Sequence, residues 1–329
     1  MVPALVSIRS IAVRSFDTEM RRTSQASGFV VDSKLGIILT NRHVVQPGPT
    51  LSEAIFTQSK EEVKLIPIYR DPVHDFGFFK FDPNHVNYMS IREIPLRPSN
   101  ARLGLDIRVV GNDAGERLSI LSGTLARLDR QAPNYGQGKY NDFNTFYFQA
   151  SSMTSGGSSG SPVIDIDGNA IALNAGGATK AASSFFLPLD RVLRALILIR
   201  SGELISRGTL QSIFSFTHFD ELRRLGLNSE TESVMRRDFP ESTGMLIAKQ
   251  VMKGGQAHGI LEPGDILLKV NGVSINAFIP FESVMDNNIG KNVSLTLQRS
   301  LKTLDVVIKP RDLDSITPNR YFECNRYIN

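Results

Sequence analysis

Short apolar runs, rich in β-branched and aromatic residues and broken by turn residues, follow one another from the start of the chain to about residue 187. "GFVVD", "LGIILT", "VKLIPIYR", "DFGFFKFD", "DIRVVGN", "TFYFQAS" and "PVIDIDGNAIALN" are the clearest of them. This spacing predicts an antiparallel barrel or sandwich, because the strict strand–helix alternation of a doubly wound parallel sheet is absent. The opening "MVPALVSIRSIAV" joins the pattern, with Val6, Ile8 and Ile11 to Val13 reading as a strand already under way.

After Pro188 the period changes. Leu189, Val192, Leu193, Leu196 and Ile197 fall on one stripe of a helix, and Gly202 is placed to end it. A domain boundary is therefore expected within "SGELISRG", residues 201–208. The second part starts with "RGTLQSIFSF", passes through a charged, helical stretch at 218–240, and resumes with "GMLIAKQV", "ILEPGDILLKVNG" and "VSLTLQRS". A short helix is predicted at "FESVMDNN", where Phe281, Val284 and Met285 share a face. The closing "DSITPNRYFECNRYIN" has no period and reads as a tail. The expected division is a β domain over 1–204, a small α+β domain over 205–312 and a tail over 313–329.

Composition narrows the function classes. At 329 residues, 41% hydrophobic and 21% charged, the chain has material for about two ordinary globular cores. The net charge is +4, but the basic residues come in scattered pairs such as Arg21-Arg22, Arg223-Arg224 and Arg236-Arg237, so no nucleic-acid partner is expected. No run approaches the roughly 18 apolar residues of a membrane span, and "LRALILIR" is broken by arginines, so no membrane partner is expected either. The single cysteine, Cys324, excludes an intrachain disulfide and a C-x-x-C metal site, which favours a reducing compartment. No secretory signal is visible, and no cofactor or metal is called for.

The candidate chemistry lies in the β domain. Among five histidines only His43 follows a strand-like run that ends in small polar residues, "GIILTNRHVV". Asp75 heads the apolar run of "RDPVHDFGFFKFD", where a partly buried carboxylate can be aimed at an imidazole N–H. Asp71 competes, but "DP" starts a turn that its side chain is better placed to cap.

The third group comes from "SGGSSGSPV", which composition alone would make a linker. Pro162 and the strand-like sequence after it place it inside a domain instead. Glycines on both sides of Ser159 allow a turn sharp enough to aim several N–H groups at one point. Ser159 thus reads as a nucleophile, with its own N–H and that of Gly157 as an oxyanion hole. The order His43, Asp75, Ser159 in an all-β region is the order of a chymotrypsin-type triad.

At these residues the chain resembles the HtrA/DegP-type serine proteases. "TNRHVV", "HDFGFFK" and "GSSGSPV" look like the family's histidine, aspartate and nucleophile motifs, with Arg42 and Ser158 where asparagine is common and Ser161 where glycine is common. "EPGDILLKVNG" looks like the PDZ domain that follows. Within the family, "YRDPVHDFGF", "VVGNDAGE", "YNDFNT" and "SGGSSGSPV" resemble the fungal nuclear, pro-apoptotic HtrA-like group, whose members carry a second, degenerate protease half. The resemblance implies a mainly β fold, a chymotrypsin-like double β-barrel followed by an α+β PDZ-like domain, in a fragment or shortened relative of a longer protein.

The same resemblance implies an ATP-independent serine endopeptidase acting on polypeptides, without cofactor, in homo-oligomers that are often trimers. Asn174, Ala175 and Gly176 would pair with the substrate backbone, and residues 131–142 would order the oxyanion site. In the PDZ part, "RGTLQS" would be the carboxylate-gripping loop, and Gln211 at its usual glycine argues against that grip. Nucleus and cytoplasm are the expected locations, with the mitochondrion as the alternative. A non-catalytic or latent peptide-binding scaffold or chaperone with a protease fold is the rival function.

Overall fold

A computed structural model describes residues 1–16, 20–111, 118–135, 141–150, 157–178 and 183–317. The chain divides into two compact units, Met1–Glu203 and Leu204–Asn329. Among the described residues no helix is long and apolar enough to cross a membrane.

The first unit is two closed six-stranded barrels. Strands β1 (Leu5–Ala12), β2 (Thr23–Asp32), β3 (Ile37–Thr40), β4 (Thr50–Phe56), β5 (Glu62–Arg70) and β6 (Gly77–Lys80) close in the order β1-β2-β3-β6-β5-β4. Inward positions alternate as a pleated barrel requires, with Ser52, Ala54 and Phe56 on β4 and Val63 and Leu65 on β5 all buried. Aromatic side chains fill the interior, with Phe56 edge-on to Phe81 at 5.5 Å and Phe76 edge-on to Phe78 at 6.0 Å. Truncating one of these rings to alanine would cost about 3–5 kcal/mol.

β1 is the strand expected at the start of the chain. Its inward set is Val6, Ile8, Ser10 and Ala12, leaving Ile11 and Val13 exposed. The period of two set by Val6 and Ile8 wins over the hydrophobicity of Ile11, and the Ser10 hydroxyl is satisfied at 2.9 Å by that of Ser52.

Strands β7 (Asp106–Gly111), β8 (Ser119–Gln131), β9 (Phe146–Ala150), β10 (Pro162–Ile164), β11 (Ala170–Ala178) and β12 (Ser183–Pro188) close in the order β10-β11-β12-β9-β8-β7. Ile107, Val109, Leu125, Phe148, Val163, Ile171 and Phe186 form the centre of this barrel. Helix α1 (Asp190–Ser201) follows and stops at Gly202, whose left-handed φ of 71° suits a residue without Cβ. Its buried face is Val192, Ala195 and Leu196 with Leu189 just ahead, whereas Ile197, expected on the stripe, is exposed. Arg200 latches the helix to the first barrel through Asp32 at 2.7 Å and the Val31 carbonyl at 2.9 Å.

The second unit is a five-strand antiparallel path with helices. Its strands are β13 (Gly208–Thr209), β14 (Ser212–His218), β15 (Gly244–Val251), β16 (Ile266–Val270), β17 (Val273–Ser274), β18 (Val293–Arg299), β19 (Lys302–Ile308) and β20 (Arg311–Asp312). The sheet runs β14-β15-β16-β18-β19, with β17 on β16 and β13 paired to β20. The charged stretch predicted as helical is two helices, α2 (Phe219–Arg224) and α3 (Ser229–Asp238), which cover Met245, Ile266 and Leu268 of the sheet. α4 (Phe278–Asn287) begins a turn earlier than predicted and buries Phe278, Phe281 and Met285, and α5 (Leu313–Ile316) is a single turn.

Candidate active site

The chain leaves β3 at Thr40 into a tight turn, in which the N–H groups of Val44 and Val45 both donate to the Asn41 carbonyl. This turn presents His43 beside Asp75, the residue before the Phe76–Phe81 run. The Nδ1 of His43 lies 2.9 and 3.0 Å from the two carboxylate oxygens of Asp75, and the His43 N–H donates to Oδ1 at 3.1 Å. The imidazole is 32% exposed and the carboxylate 1%, so the pair has one face towards solvent and a dry back. A carboxylate on Nδ1 fixes the tautomer with the proton there and leaves Nε2 as the base.

Asp71, the competing carboxylate, is occupied elsewhere. It accepts from the N–H groups of Val73 and His74 at 2.9 and 2.7 Å and from the Tyr69 hydroxyl at 2.8 Å, closing the turn that delivers Asp75.

Two groups that sequence reasoning did not single out stand behind Asp75. The Tyr135 hydroxyl donates to its Oδ2 at 2.8 Å, and the Asp75 N–H donates to Asp142 Oδ2 at 2.8 Å. Asp142 in turn accepts from the Tyr147 hydroxyl at 2.6 Å and pairs with Arg42 at 3.1 Å. Burial works to raise the Asp75 pKa, but the charge and hydrogen bond of His43, the Arg42 charge and Tyr135 outweigh it and hold the group below the usual carboxylate range. Burial and the neighbouring charge of Asp75 push Asp142 up to about 7, against the pull of Arg42 and Tyr147. Tyr135 is driven upward by burial and by the two carboxylates, so it remains a protonated donor.

The turn containing Ser159 packs against the first barrel. The Ser27 N–H on β2 donates to the Ser159 carbonyl at 2.8 Å, and the Ser27 hydroxyl donates to the Gly157 carbonyl at 3.0 Å. Gly160 has φ 84°, and a Cβ there would lie 2.1 Å from the Ser27 carbonyl and 2.3 Å from the Thr40 hydroxyl, so only glycine fits. Ser159 is thereby seated against the strand end that leads to His43 three residues after Thr40. Among the described residues, the N–H groups of Gly157 and Ser159 donate to no backbone acceptor.

The structure gives Asn174 a different place from the one expected. Its N–H donates to the Ser161 carbonyl, its carbonyl accepts from the Gly160 N–H, both at 3.0 Å, and its side-chain NH₂ donates to the Ser158 carbonyl at 2.8 Å. With its backbone engaged and its side chain fully buried, Asn174 braces the Ser159 turn from within rather than offering an edge to a peptide. Ala175 and Gly176 follow at a bulge opposite Phe186 and Phe185. Of the segments expected to shape the site, residues 136–140, 151–156 and 179–182 lie outside the described residues.

In the second unit β14 is an edge strand, with Phe214 packed on Phe281 of α4 at 4.7 Å. Gln211 keeps a glycine-like φ of 55°, but its N–H donates to the Thr209 hydroxyl at 2.9 Å and its carbonyl accepts from Met252 at 3.0 Å. Among the described residues no cluster of three or more His, Cys, Asp or Glu is arranged to hold a metal ion.

A two-barrel unit carrying His43, Asp75 and Ser159, joined to a unit of PDZ type, defines the class: a trypsin-like peptidase with a PDZ domain. The trypsin-like peptidase domain family matches residues 26–173 and the PDZ domain family residues 217–298. Over nearly its whole length the chain is similar to curated serine proteases. It is 52% identical to Protease Do-like 7 of Arabidopsis thaliana, over 99% of this chain and 30% of that protein. It is 52% identical to the pro-apoptotic serine protease NMA111 of Saccharomyces cerevisiae (98% of this chain, 32% of that protein) and 54% to that of Coccidioides immitis (98% and 31%). The chain thus spans about a third of the length of these curated relatives. In fold it is similar to the HtrA-type protease AlgW with tripeptide, with TM-score 0.68 and 19% identity over 94% of each chain. A serine endoprotease from Yersinia pestis aligns with TM-score 0.59 and 18% identity over 95% of each chain.

Proposed function

We propose that this chain is an ATP-independent endopeptidase that cleaves polypeptides by acyl transfer, with Ser159 as nucleophile, His43 as general base and acid, and Asp75 as the group that orients and charges His43. The observation that carries the reading is the 2.9 Å contact of His43 Nδ1 with Asp75, set beside a Ser159 turn that hydrogen bonds to the first barrel. Nε2 takes the Ser159 proton as the hydroxyl attacks the scissile carbonyl, and the buried Asp75 carboxylate stabilises the imidazolium that forms. The N–H groups of Gly157 and Ser159 receive the oxyanion, and His43 then returns the proton to the leaving amine. Water repeats the sequence on the acyl-enzyme.

Ala175 and Gly176 are the part of the expected substrate strand whose backbone is not consumed by the Ser159 turn, and we assign them to pairing with an extended peptide. In the PDZ unit the N–H of Gln211 is taken by the Thr209 hydroxyl, which argues for contacts other than carboxylate capture.

Ser159→Ala tests the reading. The variant should fold as the native chain does by circular dichroism, yet lose fluorophosphonate labelling entirely and casein cleavage by a factor on the order of 10⁴ or more. Cleavage retained at the native rate, or labelling at another residue, overturns it.

A further inference from the structure

The triad is drawn from both barrels, and what sets the imidazole is therefore a contact across them. His43 and Asp75 belong to the first barrel, but three of the groups around the Asp75 carboxylate and its backbone come from the second: Tyr135 after β8, Asp142 just before β9, and Tyr147 on β9. Tyr135 makes two contacts at once. Its hydroxyl donates to Asp75 Oδ2 at 2.8 Å and its ring stands 6.2 Å from the His43 ring. Asp142 accepts the Asp75 N–H with one oxygen and faces Arg42 with the other. Arg42 completes the loop by donating to the Val73 carbonyl at 2.8 Å, in the turn that carries Asp75. Side-chain exposure is 4% for Arg42 and 0% for Asp142.

A buried ion pair is a weak device for stability alone, because desolvation offsets most of its attraction. This one is instead built into the frame of a carboxylate that must stay ionised and aimed. Resting on the peptidase reading above, we propose that Tyr135 and the Arg42–Asp142 pair are positioning residues of the triad: they fix the Asp75 carboxylate, and through it the His43 imidazole, from the opposite barrel.

The charged and titratable groups around His43 are Asp75 and Tyr135 in contact, Arg42, Asp142 and Tyr147 behind them, and Asp71 and His74 across the turn, where His74 Nε2 meets the Phe143 carbonyl at 3.1 Å. Two substitutions then act on His43 with opposite sign. Tyr135→Phe keeps the ring but removes a donor from Asp75, so the less satisfied carboxylate holds the imidazolium more strongly and the His43 pKa rises. Asp142→Asn keeps an acceptor for the Asp75 N–H but removes the negative charge that this carboxyl carries above its pKa of about 7, so the His43 pKa falls.

The test is a pH titration of the imidazole signals of histidine-labelled full chain by NMR, with His43→Gln identifying the resonance, alongside the rate of fluorophosphonate labelling. Shifts of about half a unit or more in opposite directions, with labelling slowed roughly tenfold in each variant, are expected. Arg42→Lys should stay nearer the native titration than Arg42→Met. Shifts of the same sign, or none, overturn the proposal whatever the labelling rate. A native chain that fails to label removes the peptidase reading, while the titration still decides whether these residues set His43.

Discussion

On the first barrel Asp75 is 1% exposed and collects the His43 N–H, His43 Nδ1 and the Tyr135 hydroxyl, with a buried ion pair behind it. On the second, the Ser159 turn is held by uncharged hydrogen bonds, backbone and side-chain, to Ser27 and Asn174 and by the absence of a side chain at Gly160. One half of the site is set by charge, the other by shape. The first tolerates a change of shape but not of charge, because an anion in a dry pocket needs its partners. The second does not tolerate a change of volume, because its neighbours approach within contact distance of the main chain.

Removing the charge alone gives the largest effect. Asp75→Asn preserves size but offers an NH₂ where His43 Nδ1 needs an acceptor, which favours the tautomer with the proton on Nε2. We expect kcat to fall on the order of 10⁴-fold with KM little changed. Steady-state cleavage of a fluorogenic peptide measures it, and a loss below about tenfold would mean that His43 is oriented by something other than this carboxylate.

Adding volume to the other half comes next. Gly160→Ala introduces a carbon 2.1 Å from the Ser27 carbonyl and 2.3 Å from the Thr40 hydroxyl, at a φ of 84°. The turn must move, and with it Ser159. We expect a loss of about 2–4 kcal/mol in stability and at least about a hundredfold in labelling rate. Urea unfolding and probe kinetics report the two effects separately, and a variant with native labelling would show that the turn is softer than its packing indicates.

The same contrast explains what was legible in the sequence. His43, Asp75 and Ser159 stood out because each follows or heads an apolar strand run or sits among glycines, local signals that a single chain displays. Tyr135 and Asp142 gave no such signal. They lie in polar, turn-rich sequence, and their importance arises only when Asp75 meets them across separations of 60 and 67 residues. Asn174 was misplaced because strand sequence does not say which neighbour takes the backbone bonds, and here the Ser159 turn takes them. The barrels are legible from apolar runs, while Ile197, on the predicted helix stripe, is exposed.

The smallest effect separates shape from polarity within the turn itself. Ser161 is fully buried, and among the described residues its hydroxyl has no hydrogen-bond partner. It packs against Gly111, where a Cβ would lie 1.8 Å from the Ser161 Oγ, so the pocket admits this side chain only because β7 is bare at that point. A desolvated hydroxyl without a partner is a cost, and Ser161→Ala removes it while leaving a small void. We expect the variant to be as stable as the native chain or more stable by about 1 kcal/mol, with unchanged labelling kinetics. Destabilisation beyond about 1 kcal/mol in urea unfolding would show that the hydroxyl holds a bond in solution, and Ser161 would then join Ser27 and Asn174 as a polar support of the turn.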